Sequence, residues 1–406
     1  MAVGRDDPGV LTPIRGIRLG AVSAGLVSPQ RPDLVLFELA EGCACAGVFT
    51  RNVFRAAPVQ IAEAHLASDT PTRYLLVNSG NANAGMGQQG MQDALACCES
   101  VADNAGCAID AVVPYSTGVI GERLAVESIV DAIPHAIGSL RADGWIAAAS
   151  AMATTDTRPK GATETVALDH GLVTLTGIAK GAGMIRPDMA TMLAFMGTDA
   201  EVPRGLLCRA LEDAVGVSFN RITIDGDTST NDACTLVATG QSGVSIAERS
   251  SADYKRFAAA LTRLCTRLAQ SIVRDGEGAT RFVTITVQGA ANQGEAEAVG
   301  RTLAESPLVK TAIGAGDPNW GRLLAAVGRA GVPGLTVETV RIWVGDYLIV
   351  QDGGRVPGYD EAEAAARMAD EDVAITVDLG RGDSEACLWT CDLTAEYVRI
   401  NAEYRS

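Results

Sequence analysis

Histidine is the most informative scarcity in this chain, because only three histidines occur among 406 residues. His65 and His135 both lie in stretches with a helical pattern, and neither adjoins a run rich in glycine or in hydroxyl side chains. Histidine is the most common general base in enzymes. If this chain is an enzyme with a nucleophile, we therefore expect its base to be another group.

Long apolar runs and patterned cysteines are also missing. The longest apolar runs, such as Leu75–Val77, are far shorter than the about 20 residues needed to span a bilayer. The first ten residues, MAVGRDDPGV, lack the apolar stretch of a secretory signal. The ten cysteines show neither zinc-site nor CxxC spacing, which favours small core residues in a reducing compartment. We predict a cytoplasmic protein with no membrane association and no metal.

Positive charge is in short supply as well. Lysine and arginine number 33 against 49 aspartates and glutamates, so the formal net charge is −16. Such a surface repels phosphate backbones, and nucleic acid is excluded as a partner. Aromatic residues make up 4% of the chain but hydrophobic residues 47%, so a large core has to be packed mainly with aliphatic side chains.

What is present is an alternation of strand-like and helical runs, which indicates a layered α/β protein. Strands are predicted at residues 73–77, 282–287, 340–344 and 373–377, and helices at 92–102, 255–273 and 361–368. Residues 78–84 are predicted to form a polar loop. Asp317 and Pro318 are predicted to be the cap and first residue of a further helix. Residues 283–406 are predicted to form a smaller C-terminal α/β unit.

The segment Gly177–Met196 reads GIAKGAGMIRPDMATMLAFM. Its pattern predicts a strand, a glycine-rich loop and then a buried apolar segment. Lys180 stands among the glycines, where we expect it to be accessible and suited to contact with a carboxylate or a carbonyl. A threonine in an apolar segment is by itself a structural residue far more often than a catalytic one.

Within this segment, KGAGMIRPDMATMLAF is similar to the cleavage-junction signature of the ornithine acetyltransferases (glutamate N-acetyltransferases) of arginine biosynthesis. The resemblance implies self-cleavage between Ala190 and Thr191, which gives fragments 1–190 and 191–406. Thr191 then becomes the nucleophile, and its new α-amino group, which titrates near 7.7–8.0 in model peptides, is its general base. This arrangement needs no histidine.

Two further motifs resemble the family. Ser116-Thr117-Gly118-Val119-Ile120-Gly121 resembles its STGVIG loop, which implies an oxyanion hole formed by the Thr117 hydroxyl and the Gly118 amide. A plain β-turn is the alternative. The run at 153–160 resembles a family segment that lines the substrate site at Thr154, although Ala153 stands where the family has methionine or threonine. There the alternative is a turn whose hydroxyls satisfy its own backbone.

The resemblance also assigns residues to substrate binding near the C-terminus. Glu277, in the family's DGEGA motif, is expected to bind the cationic amine of ornithine. A solvated loop carboxylate is the alternative. Asn401 and Ser406 are expected to complete a substrate site that also includes Thr154, Lys180 and Thr191.

The resemblance implies a four-layer αββα sandwich and an assembly of two copies of each fragment. The implied reaction moves the acetyl group of N-acetylornithine to glutamate by a ping-pong route and releases ornithine. No cofactor is required, and acetyl-CoA as a second donor is left open.

Two rival interpretations remain at this stage. An aminopeptidase-like amidohydrolase has the same architecture, and a non-catalytic relative would use the pocket only to bind. The acidic run around Asp225, Asp227 and Asp232 lacks the spacing of an EF-hand, so it is interpreted as turn-forming.

Overall fold

The computed structural model describes residues 2–4, 7–186 and 192–403. The chain divides into two compact units. The larger unit consists mainly of residues 6–220 and 227–272, and the smaller unit mainly of residues 221–226 and 273–404. Across the part of the chain that is described, no helix has both the length and the apolar character that crossing a membrane requires.

The larger unit contains nine named strands and six helices within the described ranges. They are β1 (Ile17–Val22), β2 (Leu34–Leu39), β3 (Ala44–Phe49), α1 (Ala57–Ala67), β4 (Tyr74–Asn81), α2 (Gly87–Ala105), β5 (Val112–Val119), α3 (Val126–Gly138), α4 (Trp145–Met152), β6 (Lys160–Leu168), β7 (Gly171–Lys180), β8 (Leu193–Thr198), α5 (Arg204–Gly216), β9 (Ala233–Ala238) and α6 (Ala252–Arg274).

These strands form two sheets. One has the order β1-β2-β4-β5, and the other has the order β3-β9-β8-β7-β6. In the first sheet, β4 and β5 are parallel neighbours. In the second sheet, β8 is central, antiparallel to β7 and parallel to β9. The strand that follows residue 191 is therefore held on both sides.

The two sheets face each other across a shared core. Val35 and Phe37 of the first sheet lie in one buried cluster with Ile178 and Phe195 of the second, and Trp145 of α4 packs into the same layer. The ring centroids of Phe37 and Phe195 are 5.1 Å apart. Aromatic side chains such as these bury more area than an aliphatic residue would.

Helices cover the outer faces of both sheets. Buried residues of α2 and α3, including Cys98 and Ile133, pack against Leu36 of the first sheet. On the second sheet, Gly177 lies under Leu264 and Leu268 of α6. The larger unit is thus the four-layer αββα sandwich that the resemblance implies, and the predicted fold class is confirmed.

Several predicted elements are confirmed, although their first and last residues differ from the prediction. The helix predicted at 255–273 is α6, and its apolar side chains at helical spacing are buried. The polar loop predicted at 78–84 is wrong in its first half, because β4 continues through Asn81. These polar residues remain in strand form because β4 pairs with β5 as far as Asn81.

The smaller unit contains the remaining elements. They are β10 (Phe282–Ala290), α7 (Gln293–Ala304), α8 (Pro307–Gly314), α9 (Trp320–Gly328), β11 (Arg341–Val344), β12 (Tyr347–Gln351), β13 (Gly354–Arg355), α10 (Glu361–Ala366), β14 (Asp372–Asp378), β15 (Ser384–Cys391) and α11 (Ala395–Glu403). The strands form one mixed sheet of order β13-β12-β11-β14-β10-β15. Its core combines the apolar side chains of the strands with those of α7, α8 and α9.

The predicted start of α9 is wrong by two residues. The helix begins at Trp320, and its cap is Asn319, whose side-chain oxygen accepts a hydrogen bond from the backbone N–H of Arg322. Asp317 instead accepts a hydrogen bond from the side chain of Asn319, at 2.9 Å. Both Asp and Asn are good caps, so propensity alone did not choose between them.

The cysteines behave as predicted for core residues. All ten are free thiols, and six of them are buried. Burial raises the pKa of the Cys97 thiol and of the Cys265 thiol to about 12 in each case. Such thiols stay protonated near neutral pH and are inert as nucleophiles.

Candidate active site

Thr117 and Gly118 lie at the end of β5, not in the loop or plain β-turn considered from the sequence. They pair in parallel with Ser79 and Gly80 at the end of β4. Gly118 has φ +134°, and a Cβ placed on it would lie 2.5 Å from the backbone nitrogen of Asn81. Only glycine fits this close approach of two backbones. The sheet therefore fixes the predicted oxyanion donors.

Lys180 is the last residue of β7 and faces Thr117 and Thr154. Its Nζ donates hydrogen bonds to Thr154 Oγ1 at 2.8 Å and to Thr117 Oγ1 at 3.1 Å. Its strand pairs with β8 at Lys180–Leu193. The expectation of an accessible loop lysine is thus wrong, because strand pairing continues through Lys180 and leaves its side chain half-buried. The three predicted side chains are nevertheless brought together.

Asp156 fixes the backbone at Thr154 and next to Lys180. Its carboxylate accepts hydrogen bonds from Lys160 Nζ at 2.5 Å, from the Gly181 N–H at 2.7 Å and from the Thr154 N–H at 3.1 Å. Burial would raise the pKa of Asp156, but the positive charges of Lys160 and Lys180 hold that pKa well below its usual range. Asp156 therefore stays ionised and ties the Thr154 turn to the end of β7.

The sequence assigned no role to Asp156 or Lys160, although both lie in the run that predicted Thr154. Their side chains are 1% and 0% exposed, respectively. The signal that could have found them is an aspartate four residues before a lysine in a hydroxyl-rich turn. Because both are buried and paired, the cost of taking two charges out of water is offset by their contact and by backbone hydrogen bonds.

Asp232 is a second buried carboxyl group, placed immediately before β9. It is 4% exposed, and burial raises its pKa well above its usual range, although a hydrogen bond from Ser229 and the charge of Lys180 act in the opposite direction. Burial therefore disfavours the charged form of Asp232. The pKa values of Asp156 and Asp232 therefore shift in opposite directions, although the charge of Lys180 acts on both.

The junction itself falls at the start of β8. Ala190 and Thr191 lie outside the described residues, and so does Ser406. Met192 is described, and its carbonyl accepts a hydrogen bond from the Ala233 N–H at 2.9 Å. Leu193 follows as the first residue of β8, paired with Lys180 on one side and Ala233 on the other.

Glu277 and Asn401 form a separate pair in the smaller unit. Asn401 Nδ2 donates to Glu277 Oε2 at 2.7 Å and to the Tyr397 carbonyl at 3.0 Å. Glu277 is only 8% exposed, so the alternative of a solvated loop acid is wrong. A Cβ at Gly278 would lie 2.5 Å from the Tyr397 nitrogen, so glycine lets this turn pack against α11.

Comparison with known proteins decides the family. The ArgJ family model matches residues 18–406. The chain belongs to the ArgJ family. An arginine biosynthesis bifunctional protein ArgJ from Methylococcus capsulatus is 53% identical over 98% of this chain and 97% of its own length. One of the same name from Pseudomonas syringae pv. tomato is 50% identical, with all of both chains covered.

The same name recurs among solved structures. The crystal structure of an arginine biosynthesis bifunctional protein from Bacillus halodurans is 42% identical, with a TM-score of 0.51 over 53% of this chain and all of that chain. ArgJ membership agrees with the family resemblance of the junction segment. Of the residues predicted for the site, Thr117, Gly118, Thr154 and Lys180 form one described group, and Glu277 and Asn401 form another.

Proposed function

We propose that this chain is a self-cleaving acetyltransferase in which Thr191 carries the acetyl group of N2-acetyl-L-ornithine to L-glutamate. As an ArgJ protein, it is an acyltransferase of arginine biosynthesis. The observation that best supports the residue assignment is the hydrogen-bonded group of Lys180, Thr117 and Thr154, because Lys180 pairs with the first residue of β8. That residue is two positions after Thr191.

The first stage in this proposal is cleavage of the Ala190–Thr191 bond. Thr191 Oγ attacks the Ala190 carbonyl carbon, and the Thr117 hydroxyl and Gly118 N–H donate to the oxyanion that forms. The C–N bond breaks, and the proton lost by the Thr191 hydroxyl ends on the new α-amine. Water then hydrolyses the Ala190–Thr191 ester, which frees the Thr191 hydroxyl and leaves a carboxyl group on Ala190.

The second stage uses the freed amine as base. It takes the proton of Thr191 Oγ as the oxygen attacks the acetyl carbonyl of N-acetylornithine, and it returns that proton to the departing ornithine amine. Glutamate then attacks the acetyl-Thr191 ester through its own amine. N-acetylglutamate leaves and the Thr191 hydroxyl is restored, so the kinetics are ping-pong.

Lys180 has a specific task in both stages. Because its Nζ donates to Thr117 Oγ1, the Thr117 oxygen has a lone pair turned toward the lysine and its hydrogen is available for the oxyanion. The ammonium charge also stabilises negative charge in this partly water-excluded group. A preorganised donor of this kind contributes about 3–4 kcal/mol to transition-state stabilisation.

Substrate recognition in this proposal uses Glu277, whose carboxylate receives the side-chain amine of ornithine. Asn401 orients that carboxylate through the 2.7 Å hydrogen bond. The other residues assigned to substrate binding are Thr154, Lys180, Thr191 and Ser406. The relatives' name describes a bifunctional protein, which supports acetyl-CoA as a second acetyl donor. We further propose an assembly of two copies of each fragment. The predicted cytoplasmic location stays a prediction.

The first test is the intact mass of the wild type beside Thr191→Ala and Thr191→Ser. We expect the wild type to yield two fragments, the second beginning at Thr191, and the alanine variant to remain one chain. The serine variant keeps a hydroxyl nucleophile and should still cleave. An uncut wild-type chain would rule out self-cleavage and favour the non-catalytic relative.

A second assay separates transfer from hydrolysis. The cleaved enzyme is incubated with N-acetylornithine, with and without glutamate. Ornithine and N-acetylglutamate formed in equal amounts support transfer, whereas glutamate-independent acetate release favours the amidohydrolase. Replacing N-acetylornithine by acetyl-CoA in the presence of glutamate then tests the second donor, through release of free CoA.

A further inference from the structure

Asn231 is a buried amide two residues before β9, in the acidic run that was interpreted from the sequence as turn-forming. It is 7% exposed. Its Nδ2 donates to the Ala82 carbonyl at 2.6 Å and to the Ser116 carbonyl at 3.0 Å, and its Oδ1 accepts from Thr230 Oγ1 at 2.6 Å. An amide nitrogen has two hydrogens, and both are used here. Turning the amide over would place its oxygen against two carbonyls, so its orientation is fixed.

The two carbonyls flank the predicted oxyanion donors. Ser116 directly precedes Thr117 and Gly118, so the hydrogen bond to its carbonyl orients the peptide that leads into them. Ala82 acts on the other side, because its own N–H donates to the Val119 carbonyl at 2.9 Å. One side chain therefore holds the end of β5 before and after Gly118.

The backbone of Asn231 belongs to the other sheet. Two residues later, Ala233 begins β9 and donates its N–H to the Met192 carbonyl. From Leu193 onward β8 runs parallel to β9. Asn231 thus connects the sheet that carries Thr117 and Gly118 with the strand pair at which the second fragment starts.

We propose that Asn231 is a positioning residue, whose paired hydrogen bonds hold the oxyanion donors in register with the start of β8. This inference rests on the proposed function of Thr117, Gly118 and Thr191. A displacement of about 1 Å between a nucleophile and its oxyanion donors can reduce a rate by about 100-fold. A residue that acts in this way lowers the rate of the chemical step more than it weakens substrate binding.

The test is Asn231→Asp, which keeps the size of the side chain and replaces the donating NH2 by an acceptor oxygen. The matched control is Asn83→Asp, since Asn83 is 1% exposed and its Nδ2 donates to the Gly90 carbonyl at 2.9 Å. Both changes bring an acceptor against a buried carbonyl in the larger unit. Only the change at Asn231 acts on the carbonyls beside Gly118.

We expect Asn231→Asp to slow self-cleavage by about 10- to 100-fold relative to Asn83→Asp, with a matching fall in the kcat of acetyl transfer and a KM within about threefold of the control. Rescue is measured with Asn231→Gln, which retains the NH2 donor and should recover part of the rate. Equal rates in Asn231→Asp and Asn83→Asp would overturn the inference.

A measurement that does not depend on cleavage or acetyl transfer separates this inference from the proposed function. Amide hydrogen exchange at Thr117 and Gly118 should be faster in Asn231→Asp than in Asn83→Asp, both in a Thr191→Ala background. If the wild type fails to cleave, the proposed function fails, and the exchange comparison still decides whether Asn231 holds these amides. Equal exchange in the two variants would show that it does not.

Discussion

The polar group of the larger unit and the polar pair of the smaller unit are built by different means. Lys180 and Thr117 both stand at the ends of paired strands, and their neighbours across the sheet fix their backbones. Glu277 lies in a turn, and its partner Asn401 projects from the exposed helix α11 near the end of the chain. Strands hold a side chain more precisely than turns or chain ends do.

The difference suits the two tasks we propose. Acyl transfer needs its oxyanion donors in place before charge develops, so those residues belong on a rigid sheet. Recognition of a flexible ornithine side chain tolerates a looser partner. We therefore expect substitutions in the larger unit's group to affect stability and rate, and substitutions in the smaller unit's pair to affect KM.

The largest effect is expected for Asp156→Asn, measured as the free energy of unfolding in urea at pH 7 on a Thr191→Ala background. This change leaves Lys160 buried without its 2.5 Å carboxylate partner. Breaking a buried pair in this way costs about 3–5 kcal/mol. Asp346→Asn is the control, because it also breaks an ion pair of an aspartate, in this case with Arg367 at 3.1 Å, but on an exposed surface where little stability should be lost.

The same variant has a predicted pH dependence. The pKa of Asp156 is depressed in the folded chain, so its contribution to stability is present above the unfolded value of about 3.9 and is lost as pH falls toward the folded pKa. The stability difference between the Thr191→Ala parent and the Asp156→Asn variant should therefore shrink below about pH 4. A difference that stays constant down to pH 3 would contradict this assignment.

The second-largest effect is expected for Gly118→Ala, measured as the rate of self-cleavage. A Cβ at this position meets the backbone of Asn81 at 2.5 Å and forces β4 and β5 apart. Displacing the Gly118 N–H should slow cleavage by about 100- to 1,000-fold, the typical effect of losing an oxyanion donor. Gly121→Ala is the control, since Gly121 also has a positive φ, +81°, but no atom within 4 Å of the added Cβ. Equal slowing in both would mean that the strain, and not the donor, matters.

The smallest effect is expected for Asn401→Ala, measured as the KM for N-acetylornithine. Loss of the hydrogen bond to Glu277 should raise KM by about 3- to 10-fold with self-cleavage unchanged, as expected for a bond that contributes about 0.5–1.5 kcal/mol. Asn104→Ala is a matched control, because Asn104 makes the same i to i−4 bond to a helix carbonyl, that of Ser100, with no carboxylate partner. A fall in kcat larger than the rise in KM would contradict a role in recognition.

Short-range patterns predicted a layered α/β protein, and the family resemblance implied the four-layer αββα sandwich and the residues of the candidate site. The helical spacing of apolar residues predicted α6. The resemblance placed Thr117, Thr154 and Lys180 in one site, and their side chains are in contact. It also assigned Glu277 and Asn401 to substrate binding, and the structure joins these two residues, 124 apart along the chain, by a hydrogen bond.

Other features could not be predicted from local pattern. The loop assigned to 78–84 and the accessible position assigned to Lys180 were wrong because strand length depends on the partner strand, which lies far away in the sequence. Nothing in the sequence around Asp156 or Asp232 distinguishes them from other aspartates. Both are buried, but their pKa values shift in opposite directions because Lys160 as well as Lys180 acts on Asp156.

The sequence by itself determined the chemistry that is available: a threonine at a family junction, a scarcity of histidine, and glycines where only glycine fits. The tertiary structure decided which groups act together. Strand pairing brought Lys180 beside Thr117, the charges of Lys160 and Lys180 kept Asp156 ionised against the effect of burial, and Asn231 joined two sheets whose strands are distant in the chain. Hydrogen bonds and desolvation act over a few ångströms in space, and sequence separation does not measure that distance.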